Sequence, residues 1–132
     1  HLEKRDSVSW KIKSWVVGIK TNGLEKAYDW NDLLKNYFIQ DTIGKFPVLL
    51  VLEKDTSSFH GLNRILQGQT LFFIPNQATG QLTDTNTHSV WTLNGVCISG
   101  SLKDAKLEPL AAYQEFWHSW KQFHPYTTQY KP

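Results

Sequence analysis

Apolar and polar residues follow one another in short runs along most of the chain, and the runs are of strand length. Trp15-Val-Val-Gly-Ile19 is aromatic and β-branched. The Thr21-Asn-Gly23 that follows is a strong hairpin signal, because a type I′ turn needs positive φ at both central residues. Its return strand is expected at Glu25–Tyr28. Asp29 or Asn31 then serves as N-cap for a short helix near residues 31–36, carrying Leu33, Leu34 and Lys35. Phe38–Ile43 reads as a short strand closed by Gly44. Phe46–Leu52 is apolar without interruption, with Pro47 near its start, where a missing N–H is tolerated. A run without alternation predicts a strand covered on both faces, and therefore a central one.

Phe59–Leu66 and Gln69–Ile74 are two further strand candidates, parted by a tight turn at Gln67-Gly68. Residues 75–80 form a polar loop without periodicity, Leu82–Trp91 alternates loosely, and Gly95–Ile98 is a short strand ending at Gly100. From Pro109 the period changes. Leu110, Tyr113, Phe116, Trp117 and Trp120 recur at helical spacing and predict a longer helix near residues 109–123. Pro109 would lie in its first turn, and His124-Pro125 would end it. The tail from Tyr126 to Pro132 is expected to be extended. No repeat, low-complexity stretch or interior linker interrupts the pattern. The elements add up to a single α+β domain over residues 1–132, mostly antiparallel β-sheet with these two helices.

Composition narrows the function classes more than it selects one. At 132 residues the chain has the size of one domain, and 14 Lys and Arg against 12 Asp and Glu leave a formal charge of +2. That balance gives no reason to expect nucleic acid or an anionic membrane surface as partner. A lone cysteine excludes an intramolecular disulfide and any C-x-x-C redox or zinc pair. The longest apolar stretch, Phe46–Leu52, falls far short of the roughly 20 residues a bilayer-crossing helix needs. His1 to Asp6 are mostly polar or charged and offer no signal-peptide core. A start at His1 rather than Met predicts a segment cut from a longer chain, with room for an anchor upstream. An N-terminal His can chelate copper through its amine and ring, but the reading favoured is a cut end without a ligand role.

Candidate chemistry is sparse. His118 and His124 are six residues apart, and His60 and His88 stand alone, so no H-E-x-x-H or i,i+4 pair is present. Cys97 lies in Gly-Val-Cys-Ile-Ser-Gly, inside an expected strand, where a cysteine packs as a small hydrophobe and is a poor nucleophile. Ser89, Ser99 and Ser101 are not in a G-x-S-x-G elbow. Gly61 and Gly68 are not followed by the Lys-Ser or Lys-Thr of a phosphate loop. Asp84 with His88, and Glu115 with His118, could pair locally for acid–base work, and are just as well explained by turn and surface contacts. What stands out is aromatic: six Trp, five Tyr and seven Phe, with no Met. Trp91 and Trp117 are assigned to the core. Trp10 and Trp30 have polar neighbours and are the candidates for a surface platform that could hold a carbohydrate.

The order of several motifs resembles the bacterial family called domain of unknown function 3179. The matching pieces are Val17-Gly-Ile-Lys20 with Glu25-Lys-Ala-Tyr28, then Leu33-Leu34, the Asp41-to-Pro47 turn into the apolar strand, and Arg64 with Gly68 ahead of Leu71-Phe72-Phe73. The most specific piece is Asp84-x-x-Thr87-x-Ser89-x-Trp91, followed by Asn94-Gly95, Gly100-x-Leu102 and Leu107; Trp120-x-x-x-His124-Pro125-x-Thr127 closes the series. The resemblance spans about residues 15 to 130. It implies an extracytoplasmic setting, periplasmic or membrane-tethered. Many relatives carry a cysteine segment of the form Y-C-P-x-C after the central apolar strand. Here residues 51–58 contain no Cys, so thiol or metal chemistry of that kind lacks its ligand.

The sequence thus predicts a non-catalytic binding or interaction module taking a small polar ligand or a protein partner, with no cofactor, no metal and no catalytic residue. Arg64, Asp84, Thr87, Ser89 and His124 are the expected ligand-binding set, although Asp84, Thr87 and Ser89 equally suit a hydrogen-bonded turn ahead of Trp91. Two alternatives stand beside this. One is a metal-dependent or redox accessory enzyme using His60, His88, His118 or His124; the other is carbohydrate binding through Trp10 or Trp30.

Overall fold

The computed structural model describes residues 9–132; His1, with its copper reading, lies outside them. Strand β1 (Trp15–Thr21) turns at Asn22 and Gly23, with φ of 52° and 77°, into β2 (Leu24–Asp29). Both turn residues are left-handed, as a type I′ hairpin requires. The Asp29 side chain accepts from the backbone N–H of Asn31 at 3.1 Å and starts helix α1 (Trp30–Asn36). Tyr37 ends the helix in the left-handed region at φ 62°. The chain then forms β3 (Phe38–Ile43) and β4 (Phe46–Leu52), followed by β5 (Phe59–Asn63). These three are antiparallel with β4 in the middle.

The apolar run of β4 is explained by what covers it. Val48, Leu50 and Leu52 pack with Val17, Ile19 and Tyr28 of the first hairpin and with Trp30 and Leu33 of α1. Leu49 and Val51, on the opposite face, pack with Leu71, Phe73, Leu82, Trp91 and Cys97. Alternation is absent because both faces of this strand are buried.

The second half is built from small hairpins. Strands β6 (Ile65–Leu66) and β7 (Gln69–Thr70) are joined by Gln67-Gly68, both at positive φ. Strands β8 (Phe73–Asn76), β9 (Gln81–Asp84), β10 (Val90–Trp91) and β11 (Cys97–Ser99) form a four-stranded sheet in the order β11-β10-β9-β8. The chain then returns to β1.

The expected helix over residues 109–123 is corrected here. Ala111–Phe116 is a strand, β12, antiparallel to β1 with Trp15 opposite Phe116 and Lys20 opposite Ala111, and only Trp117–Phe123 is helical, as α2. The open edge of β1 offers a row of unpaired backbone groups, and satisfying six residues of it outweighs a helical spacing of aromatics. Tyr113 is accordingly 51% exposed and Phe116 38%, where a helix would have buried them. Trp117 and Trp120 do behave as helical core, packing with Val16 and Ala27 on the outer face of the first sheet. The tail adds β13 (Thr128–Gln129), parallel to β2. The fold is therefore α+β, with helix α2, the β12-β1-β2-β13 sheet, the β3-β4-β5 sheet and the β8–β11 sheet stacked in succession.

Trp30 also departs from expectation. Its sequence neighbours Asp29 and Asn31 are polar, yet it is 1% exposed, because the first turn of α1 points it into the core edge-on to Phe59. A carbohydrate platform cannot use it. Trp10 is half-buried and lies edge-on to Trp117 at 4.9 Å between ring centroids.

Candidate functional site

Three of the five expected site residues come together. Asp84, at the end of β9, is fully buried and accepts from the Thr87 backbone N–H, from the Thr87 hydroxyl at 2.8 Å and from the Trp91 indole N–H at 2.8 Å. Ser89 Oγ lies 2.7 Å from Thr87 Oγ1 and accepts from the Leu102 backbone N–H. With the Thr87 proton committed to Asp84, Ser89 supplies the proton between the two hydroxyls. Gly100, at φ 101°, makes room for this: a Cβ there would fall 2.5 Å from Ser89 Oγ. The set is a closed chain of hydrogen bonds that ties the β9–β10 turn to the indole behind it. Its donors and acceptors are spent on one another.

Arg64 and His124 lie elsewhere and share no hydrogen bond with that turn. Arg64, 3% exposed, donates from Nε to the carbonyl of Val48 at 2.8 Å and from its two terminal nitrogens to those of Leu71 at 3.0 Å and Asp41 at 2.7 Å. Burial pulls its pKa down from the ordinary value, and the nearby Asp41 charge opposes that. The guanidinium thus fastens β3 and β4 to the strand entering β8, with Phe72 over its face at 5.3 Å. His124 is on the first sheet's side, its Nδ1 paired with Glu25 and its ring stacked on Trp120 at 3.7 Å.

Of the other candidate groups, His88 and His118 are exposed and make no side-chain hydrogen bond or ion pair among the described residues, while His60 and Cys97 are engaged or buried. His60 Nε2 lies 2.6 Å from Glu53. Cys97 is buried, and burial raises its thiol pKa, which disfavours the nucleophilic thiolate. Among the described residues, no three His, Cys, Asp or Glu side chains gather where a metal ion could be held.

A cavity of about 310 Å³ lies elsewhere, open on one side, in the size range of small-molecule sites. The end of α1 supplies Lys35 and Asn36; Tyr37 and Phe38 follow, and the end of β4 supplies Val51 and Leu52. The β8–β9 hairpin contributes Pro75, Asn76, Gln77, Gly80, Gln81 and Leu82, while Lys54 and Leu93 complete the lining. The left-handed Tyr37 makes the sharp turn that sets the helix end beside β4. The Tyr37 carbonyl accepts from the Leu52 N–H at 2.9 Å and holds the two together. The side chains of Lys35, Asn36, Lys54, Gln77 and Gln81 make no hydrogen bond among the described residues. These five were not in the expected set. Of these only Gln77 lies in the polar loop that the sequence shows at residues 75–80, and that loop carries no chemical signature of its own.

An apolar floor under unengaged polar side chains, on a sheet-built scaffold, defines the class: a small β-dominated α+β domain with an open cavity. The chain matches the family model described as Protein of unknown function (DUF3179) over residues 1–127, and it belongs to that family. No curated protein and no solved structure matches it significantly.

Proposed function

We propose that this domain is a non-catalytic binding module whose ligand seat is the cavity between the end of α1, the end of β4 and the β8–β9 hairpin. The observation that carries this reading is the contrast in hydrogen bonding. Asp84, Thr87, Ser89 and Arg64 have their partners inside the protein, and Asn76 accepts within its own turn, whereas the side chains of Lys35, Asn36, Lys54, Gln77 and Gln81 around the cavity make no hydrogen bond among the described residues. Polar groups left with solvent beside buried Val51, Leu52 and Leu82 are what a ligand would engage. The proposed setting outside the cytoplasm rests on the family resemblance alone, and fractionating cells that make the full-length protein tests it.

For the seat itself, the test is a fragment screen by NMR on the isotope-labelled protein. Binding should move the backbone signals of Leu52, Gln81 and Leu82 together. Hits that cluster on Asp84, Thr87 and Ser89 instead, or turnover of any fragment, would overturn the proposal.

A further inference from the structure

Taking that cavity as the seat, we propose that its occupant is a small amphiphilic anion: an apolar chain or ring bearing one carboxylate or comparable negative head. The floor is apolar, and the charged residues at the rim are Lys35 and Lys54, with no Asp or Glu in the lining.

Lys54 is the stronger anchor. Both acids beside it in sequence are turned away: Glu53 pairs with His60 at 2.6 Å, while Asp55 accepts from the backbone N–H groups of Ser57 and Ser58 at 2.8 Å and from the Ser58 hydroxyl at 2.6 Å. Those bonds hold the Asp55 pKa down at about 2, so it stays committed to its own turn. The Lys54 stem crosses the β8–β9 turn over Gly80, where a Cβ would sit 3.4 Å from Lys54 Cε. Its ammonium therefore stands at the cavity mouth with no ion-pair partner among the described residues. Lys35 adds a second positive charge, though part of its field is answered by Asp32 one turn earlier and by the carbonyl end of α1. An ammonium at an apolar wall is screened less than one in open water, which favours a negative group over a neutral one. The floor rewards an apolar body, and the side-chain amides give it orientation.

The inference rests on the seat proposed above, and three probes sharing one chain separate the two: octanoate, octan-1-ol and octylammonium. Each is titrated into the methyl-labelled whole chain, and again into Lys54→Gln and the Lys35→Gln, Lys54→Gln double variant. Both positions are exposed, so the variants should fold. Octanoate is expected to shift the methyls of Val51, Leu52, Leu82 and Leu93 and to bind about tenfold more tightly than either other probe. Lys54→Gln should remove most of that preference, and the double variant should abolish it. If octan-1-ol or octylammonium binds there as well as octanoate does, the seat stands and the anion assignment is overturned. If no probe moves those methyls at millimolar concentration, the seat fails and this assignment fails with it.

Discussion

The Trp91 indole N–H donates to Asp84 Oδ2 at 2.8 Å, and both side chains are shut off from solvent. A buried carboxylate that also accepts from the Thr87 main chain and hydroxyl holds together a turn that cannot be wet from outside. Asp84→Ala would leave three donors without an acceptor in a packed interior. The expected loss of stability is about 3–5 kcal/mol, read from urea unfolding, with Asp84→Asn intermediate because one carbonyl oxygen remains. A loss below about 1 kcal/mol would mean that the turn does not depend on this carboxylate.

Gly18 lies directly against the six-membered ring of Trp120. A Cβ at residue 18 would fall 2.3 Å from Trp120 Cζ3, a separation no repacking of a rigid indole can absorb in place. Gly18→Ala should therefore lift α2 off the first sheet, at a cost of about 1–3 kcal/mol. Trp120 fluorescence should shift to the red as its ring meets water. An unshifted spectrum with unchanged stability would rule out the close packing of α2 on β1.

Stability should fall on the alkaline side. Tyr28 is buried and donates to Asp41 at 2.8 Å; burial first, and then the Asp41 charge, push its phenol pKa far above the usual range. The unfolded chain releases that proton at a pH of about 10, while the folded protein keeps it. The unfolded state then binds fewer protons than the native one. The contribution is fully present below that pH and is lost above it, at about 1.4 kcal/mol per pH unit. Tyr28→Phe should flatten this slope, as followed by urea unfolding at several pH values between about 9 and 11. Part of the slope should persist, since burial and Asp41 also raise Tyr130. An identical slope in Tyr28→Phe would contradict the assignment.

Where local rules and tertiary packing agree, the sequence foretells the element. The β4 run from Phe46 to Leu52, the Asn22-Gly23 turn and the Asp29 cap all state locally what the fold requires. Residues 111–116 do not, because their state is decided by β1, about a hundred positions upstream, and aromatic spacing is silent about a partner so distant. Arg64 illustrates a different blindness. A permanent cation suggests a charged partner, but its acceptors are the main-chain carbonyls of Val48, Leu71 and Asp41, which no residue type advertises. The cavity is hidden for a related reason. Lys35, Lys54, Gln77 and Gln81 come from segments that only strand pairing assembles, and each alone is an ordinary surface residue.

Arg64 can be separated from the binding seat by experiment. Its planar fork serves three carbonyls on three segments at once, which the single ammonium of a lysine cannot reproduce. Arg64→Lys keeps the charge but leaves at least one buried carbonyl without its donor, and the expected cost is about 2–4 kcal/mol in urea unfolding. Because Arg64 does not line the cavity, the folded fraction of this variant should bind octanoate as the unaltered protein does. Unchanged stability together with lost binding would reverse the roles assigned here, making Arg64 the ligand's cation and Lys54 a bystander.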